Sequence, residues 1–228
     1  MSNEFTSRLS KPQAIAVLIW LPLHIIILPT LLYPLVLRGL IGGVIANLLV
    51  YALGAVYMLL LLRRFFRRDF DALCDHPLRV LLLVVGAYWA SRFGEVLVAL
   101  LLEAMSVSGS NENNEAVIQM AKDRIGPTAA MAVILAPIVE ESMFRAGIFG
   151  LIRRKSRFLA YTASALGFAL YHVWESALYD PRQLIFILQY LPSSLALAYV
   201  YEQADSIWGC IFLHMLVNGV SILAVMSL

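Results

Sequence analysis

An all-α, polytopic transmembrane helical bundle of about seven spans is the fold class that the sequence predicts, and three observations carry it. Of 228 residues, 61% are hydrophobic and only 14% are charged, with a mean hydropathy of +0.81, outside the range of ordinary soluble domains. Apolar runs of about 20 residues, each long enough to cross a bilayer, recur along the chain. Lys and Arg gather in short clusters between those runs, where they orient spans. Little chain is left outside the bilayer, so one integral domain in the cell membrane is expected. The net charge of +2 is small, and the clusters lack interleaved aromatic stacking platforms, so no nucleic-acid partner is expected.

The spans are read at 14–37, 40–62, 78–103, 127–152, 158–175, 184–201 and 207–227. The first starts after a dozen mostly polar residues, exceeds a signal-peptide core in length and has no small-residue cleavage site after it. Its Pro22, Pro29 and Pro34 remove backbone donors and predict kinks or a broken span. The second carries Gly39, Gly43, Ala46 and Gly54, which would admit a close neighbour, although lipid-facing filler is an equal alternative. The third holds Arg92 and Glu95, three residues apart, read as an ion pair tying helices together, with substrate contact left open. His24 is read as a packing or backbone-bonded residue, Glu175 as solvated, and the tryptophans and tyrosines as packing and interface anchors. Cys74 and Cys210 form neither a disulfide framework nor a CxxC metal signature.

The stretches RRFFRRDF after span two and RRKSR after span four, with Arg8 and Lys11, are read as cytoplasmic loops and segments by the positive-inside rule. The polar stretch 106–126 then reads as an external loop with a short amphipathic helix. The amino terminus is expected in the cytoplasm and the carboxyl terminus outside. Residues 1–126 would be amino-terminal helices and external loop, and 127–228 the core that carries the chemistry.

Span four contains Glu140, Glu141 and Arg145. On insertion scales each such charge costs about 2.5–3.5 kcal/mol, while each Leu, Ile, Val or Phe returns only about 0.3–0.6 kcal/mol. Neighbouring helices must shelter this one, and ionisable groups inside a membrane are functional candidates by default. Helical spacing puts Glu141 and Arg145 on one face and turns Glu140 about 100° away. Arg145 therefore pairs with Glu141, leaving Glu140 without a sequence-local counter-ion and available as a general base. The bland alternative is one ion-pair cluster clamping helices. Later spans add His172, four residues after Phe168, and His214 and Asn218, four apart on one helical face. Counted at 1.5 Å per residue from the cytoplasmic ends, Glu140, His172, His214 and Asn218 lie about 18, 21, 10 and 16 Å deep. One pocket opening from the cytoplasmic half is expected to gather them.

These residues resemble the CAAX prenyl protease type II and bacteriocin-processing (CPBP, Abi) family of intramembrane glutamate proteases. The family's EExxxR, FxxxH and HxxxN motifs correspond to EESMFR at 140–145, FALYH at 168–172 and HMLVN at 214–218. Ala146 replaces a glycine common in the family. The resemblance implies an endopeptidase without a cofactor, acting on a membrane-associated peptide or protein. It implies that Glu140 and His172 activate water, that His214 and Asn218 stabilise the oxyanion, and that Glu141, Arg145 and Phe168 support them. For so short a chain it points to peptide maturation or bacteriocin-related processing ahead of prenyl-protein cleavage. Three alternatives stand beside it. A zinc site could use Glu140, His172 and His214, although no HExxH motif is present. A non-catalytic immunity or scaffold protein could retain the motifs. A transporter would also bury charges, although no repeat symmetry supports one.

Overall fold

The computed structural model describes residues 5–227. Among them every regular element is a helix, without strands. Nine helical stretches follow one another: α1 (Lys11–Leu37), α2 (Gly43–Leu61), α3 (Arg63–Asp75), α4 (Pro77–Ala104), α5 (Glu112–Asp123), α6 (125–152), α7 (Arg157–Tyr179), α8 (Pro181–Ala204) and α9 (Ile207–Met226). Each of the seven expected ranges falls on a helix, with residues 40–42, 62 and 227 outside it. Five helices, α1, α2, α4, α8 and α9, are long and apolar enough to cross a membrane. Helix α6 is broken by π-helical turns, and α7 bears more polar side chains.

Local chemistry accounts for the helix ends and their irregularities. Ser10 caps α1 through a reciprocal Ser10/Gln13 capping box, and Ser156 and Ser206 cap α7 and α9. Gly39, at φ +68°, ends the first span in the left-handed region that glycine enters at no steric cost. Leu23–Ile27 in α1 and 130–135 in α6 are π-helical, and each runs up to the residue before a proline, Leu28–Pro29 and Ala136–Pro137. Proline has no N–H to continue either hydrogen-bond pattern, so one backbone carbonyl a turn earlier loses its intrahelical donor.

The basic stretch after span two is a helix, which corrects its reading as a loop. In α3 the residues Phe65, Phe66 and Asp69 are buried on one face, while Arg63, Arg64, Arg67 and Arg68 stand exposed. Charge density hid a helical period that only the Phe positions reveal. The polar stretch before α6 does contain a short amphipathic helix, α5, capped by the Asn111 side chain.

One hydrophobic cluster runs from Phe5 and Val17 through Met58, Met143 and Phe168 to Tyr201 and Ile211. Two glycines set helix spacing within it. A Cβ on Gly54 would stand 3.0 Å from Val139, and one on Gly94 would stand 2.8 Å from Pro192, so α2 meets α6, and α4 meets α8, at contact distance. Of the small residues in span two, Ala46 and Gly54 are therefore packed, whereas Gly39 and Gly43 face open space. Large apolar side chains such as Leu31, Leu60, Trp89 and Leu223 point outward, as lipid contact requires.

Candidate active site

The α6 segment APIVEESMFR carries its charges into the middle of the bundle, where Glu140 is 3% exposed and Glu141 and Arg145 are fully buried. Arg145 Nε stands 3.2 Å from Glu141 Oε2. That contact is ionic, since neither atom makes an aligned hydrogen bond. Arg145 Nη2 instead donates to the Ser194 carbonyl at 3.0 Å and the Ser194 hydroxyl at 2.9 Å. The guanidinium lies over the Phe168 ring at 4.5 Å, a cation–π contact worth more where water is excluded. Arg145 thus joins α6, α7 and α8 at one point.

Glu140 faces away from that pair. Its Oε1 accepts from the Tyr51 hydroxyl at 2.9 Å. Its Oε2 is buried without a hydrogen-bond partner and faces two imidazoles, His214 Nε2 at 3.8 Å and His172 Nε2 at 3.9 Å. His214 Nδ1 lies 2.8 Å from Glu141 Oε1. His172 Nδ1 lies 2.8 Å from the Phe168 carbonyl, and its ring stacks on Tyr190 with centroids 4.5 Å apart. Asn218 Nδ2 donates to the Ala132 carbonyl at 2.8 Å. That carbonyl sits in the π-helical turn before Pro137, where Ala136 N–H bonds Met131 and proline offers no donor to the next oxygen along.

A carbonyl or carboxylate oxygen only accepts, so the protons can be assigned. His172 carries its proton on Nδ1 and directs the Nε2 lone pair toward Glu140. His214 likewise donates from Nδ1 to Glu141. Tyr51 gives its single proton to Glu140, which makes Tyr171 the donor in the 2.8 Å contact between the two hydroxyls. His24 Nε2 in turn donates to Tyr171 at 3.0 Å. Helices α1, α7 and α2 therefore form a chain of donors that ends on Glu140 Oε1.

All seven residues singled out in the motifs meet here, and Glu140 and Glu141 face different partners. Sequence reasoning missed Tyr51, Tyr171 and His24. A tyrosine or a lone histidine in an apolar helix has no local sign of its partner, and these partners lie up to 147 residues apart. Among the described residues no group of three or more His, Cys, Asp or Glu side chains is placed to hold a metal ion.

Residues 124–220 match the family model described as type II CAAX prenyl endopeptidase Rce1-like. This part of the chain is similar to that family. No curated protein and no solved structure matches the chain. The matched segment contains Glu140, Glu141, Arg145, Phe168, His172, His214 and Asn218, while Tyr51 and His24 lie before it. The family is one of proteases. Together with the five apolar helices, the match supports a multi-pass membrane protein with CAAX-type peptidase activity.

Proposed function

We propose that the protein is an intramembrane glutamate endopeptidase, which hydrolyses a peptide bond of a membrane-associated peptide or protein with water activated by Glu140 and His172. The observation that carries this reading is the Glu140 Oε2 atom, buried, unpartnered and within 4 Å of two imidazole nitrogens. A gap of 3.9 Å is too long for a direct hydrogen bond and suits a bridging water. Tyr51 occupies Oε1, which leaves Oε2 as the basic oxygen.

In this mechanism a water between Glu140 Oε2 and His172 Nε2 loses a proton to Glu140 as its oxygen bonds to the scissile carbonyl carbon. The carbonyl oxygen becomes an oxyanion. Asn218 keeps a second Nδ2 hydrogen free for it. His214, donating from Nδ1 to Glu141, offers Nε2–H when its ring is protonated. Preorganised donors at a developing charge contribute about 2.7–4 kcal/mol each in a water-poor site. The proton held by Glu140 then passes to the amide nitrogen as the C–N bond breaks, giving a carboxylic acid and an amine. Glu141 and Arg145 balance charge and orient His214.

The test compares membrane-peptide fragments in cells carrying the wild type and Glu140→Gln at matched expression. Loss of cleavage by a factor of about 10²–10⁴ is expected from removal of a general base, and chelators should leave wild-type cleavage unchanged. Full activity of Glu140→Gln in cleavage would sink the proposal. A variant that loses cleavage but keeps the full biological effect would favour the non-catalytic immunity or scaffold reading.

A further inference from the structure

Two cavities meet at the candidate site. The first, about 330 Å³, is lined by Arg92 and Glu95 of α4, Ser193 of α8, and His172, His214 and Asn218. The second, about 450 Å³, reaches Glu140 and has an apolar wall from Val117 and Ile118 of α5, Met131 of α6, and Ile222 and Val225 of α9. His172, Tyr190, Asn114, Asn218 and Ser221 border both, so a chain lying across them would pass directly over the two histidines. Both volumes fall in the range of small-ligand pockets. Asn114 and Ser221, on the shared border, are exposed, which places the mouth between α5 and α9. In the other direction the bundle is sealed: Met58, Leu62, Phe149, Tyr201, Ile207 and Ile211 are completely buried.

That geometry overturns the expectation of a pocket opening from the basic end. Helix α4 separates basic α3 from α5 by 28 residues, about 42 Å of helix. Contacts identify the basic end independently of the α4 length: Arg79 donates to the Gln203 carbonyl, Arg153 and Arg157 pair with Glu202, and Arg154 donates to the Leu9 carbonyl. Of 17 Lys and Arg, 11 stand at that end: Arg8, Lys11, the four arginines of α3, Arg79, and those at 153, 154, 155 and 157. Four stand at the α5 end, Arg38, Lys122, Arg124 and Arg182, and Arg92 and Arg145 lie between. An excess of this size in short connections marks the cytoplasmic side.

We infer that the site takes its substrate from the non-cytoplasmic face, as a peptide segment held at the outer leaflet that enters between α5 and α9 with apolar side chains in the larger cavity. The inference rests on the endopeptidase reading and adds the side from which the substrate comes. None of the 11 cationic residues of the basic end lines either cavity, and the larger cavity's apolar wall matches a membrane-borne peptide.

Native Cys74 provides an internal marker, since it is exposed on α3 while Cys210 is buried. In intact cells a membrane-impermeant maleimide should leave the wild type unlabelled until permeabilisation. Glu115→Cys and Ser221→Cys, each in a Cys74→Ser background, should label without permeabilisation. Labelling of Cys74 in intact cells, or Ser221→Cys protected on both sides while Glu115→Cys labels outside, overturns the inference. A second arm uses proteoliposomes of known orientation with a lipid-anchored apolar peptide on one face at a time. Cleavage only from the α5 face, abolished by Glu140→Gln, is the expected result. Cleavage only from the Cys74 face overturns the inference and leaves the endopeptidase reading standing, whereas no cleavage from either face counts against both.

Discussion

At the scale of single residues, Glu140 and Glu141 are adjacent in sequence yet hold different positions in the site. Glu141 is fully buried between Arg145 and His214, so removing its charge would leave a buried cation uncompensated. Glu141→Ala should therefore cost about 3–5 kcal/mol of stability, read as earlier thermal aggregation in detergent. Glu140→Gln, which retains an acceptor for Tyr51, should leave that transition in place while cleavage is lost. Tyr51 separates holding the base from binding the substrate. Tyr51→Phe deletes one hydrogen bond to a charged group, about 1.5–3 kcal/mol, and should lower kcat roughly 10–100-fold with KM little changed. An equal loss in Glu140→Gln/Tyr51→Phe and Glu140→Gln alone would place the effect on Glu140. The division of the two carboxylates was legible at 100° per residue, because it depends only on helix geometry. Tyr51 was not, since it approaches Glu140 from 89 positions away.

Prolines act at the scale of the helical element. The kink expected in the first span takes the form of a π-helical turn before Pro29, which contains His24. The corresponding turn before Pro137 leaves the Ala132 carbonyl for Asn218. Pro137→Ala restores an N–H that competes for a carbonyl of this turn. It should loosen Asn218 and reduce cleavage while helix stability stays equal or rises, since proline within a helix costs about 3 kcal/mol. Activity unchanged from wild type would remove the π-turn from the mechanism. The same scale exposed the error at α3, where seven charges in 13 residues masked the buried stripe of Phe65, Phe66 and Asp69.

At the scale of the whole molecule, the basic end is tied together by a network around Asp69. Its Oδ2 accepts from the Ser7 hydroxyl and from Ile207 N–H, and its Oδ1 accepts from Arg68. The Tyr201 hydroxyl donates to the Ser7 carbonyl, and Asp205 holds Thr6 N–H and Ser7 N–H at 2.7 Å. The amino-terminal segment is thereby fastened to α3, α8 and α9. Asp69→Ala orphans buried donors at about 1–3 kcal/mol each, so it should lower the thermal midpoint and expose the amino-terminal segment to protease, and retention of both wild-type values would show that the network is dispensable.

The apolar runs, their lengths and the clustering of cations were determined by the sequence alone, because membrane insertion responds to local hydropathy and charge. So was the separation of Glu140 from the Glu141 and Arg145 pair, because a helix fixes the angle between neighbours. Tertiary structure alone decided that Tyr51, Tyr171 and His24 line up behind Glu140, that His214 leans on Glu141, and that the cavities open between α5 and α9. Those relations depend on helices distant in the chain meeting at particular rotations. No local periodicity encodes them, and they are set when close contacts such as Gly54 on Val139 and Gly94 on Pro192 fix how the helices pack.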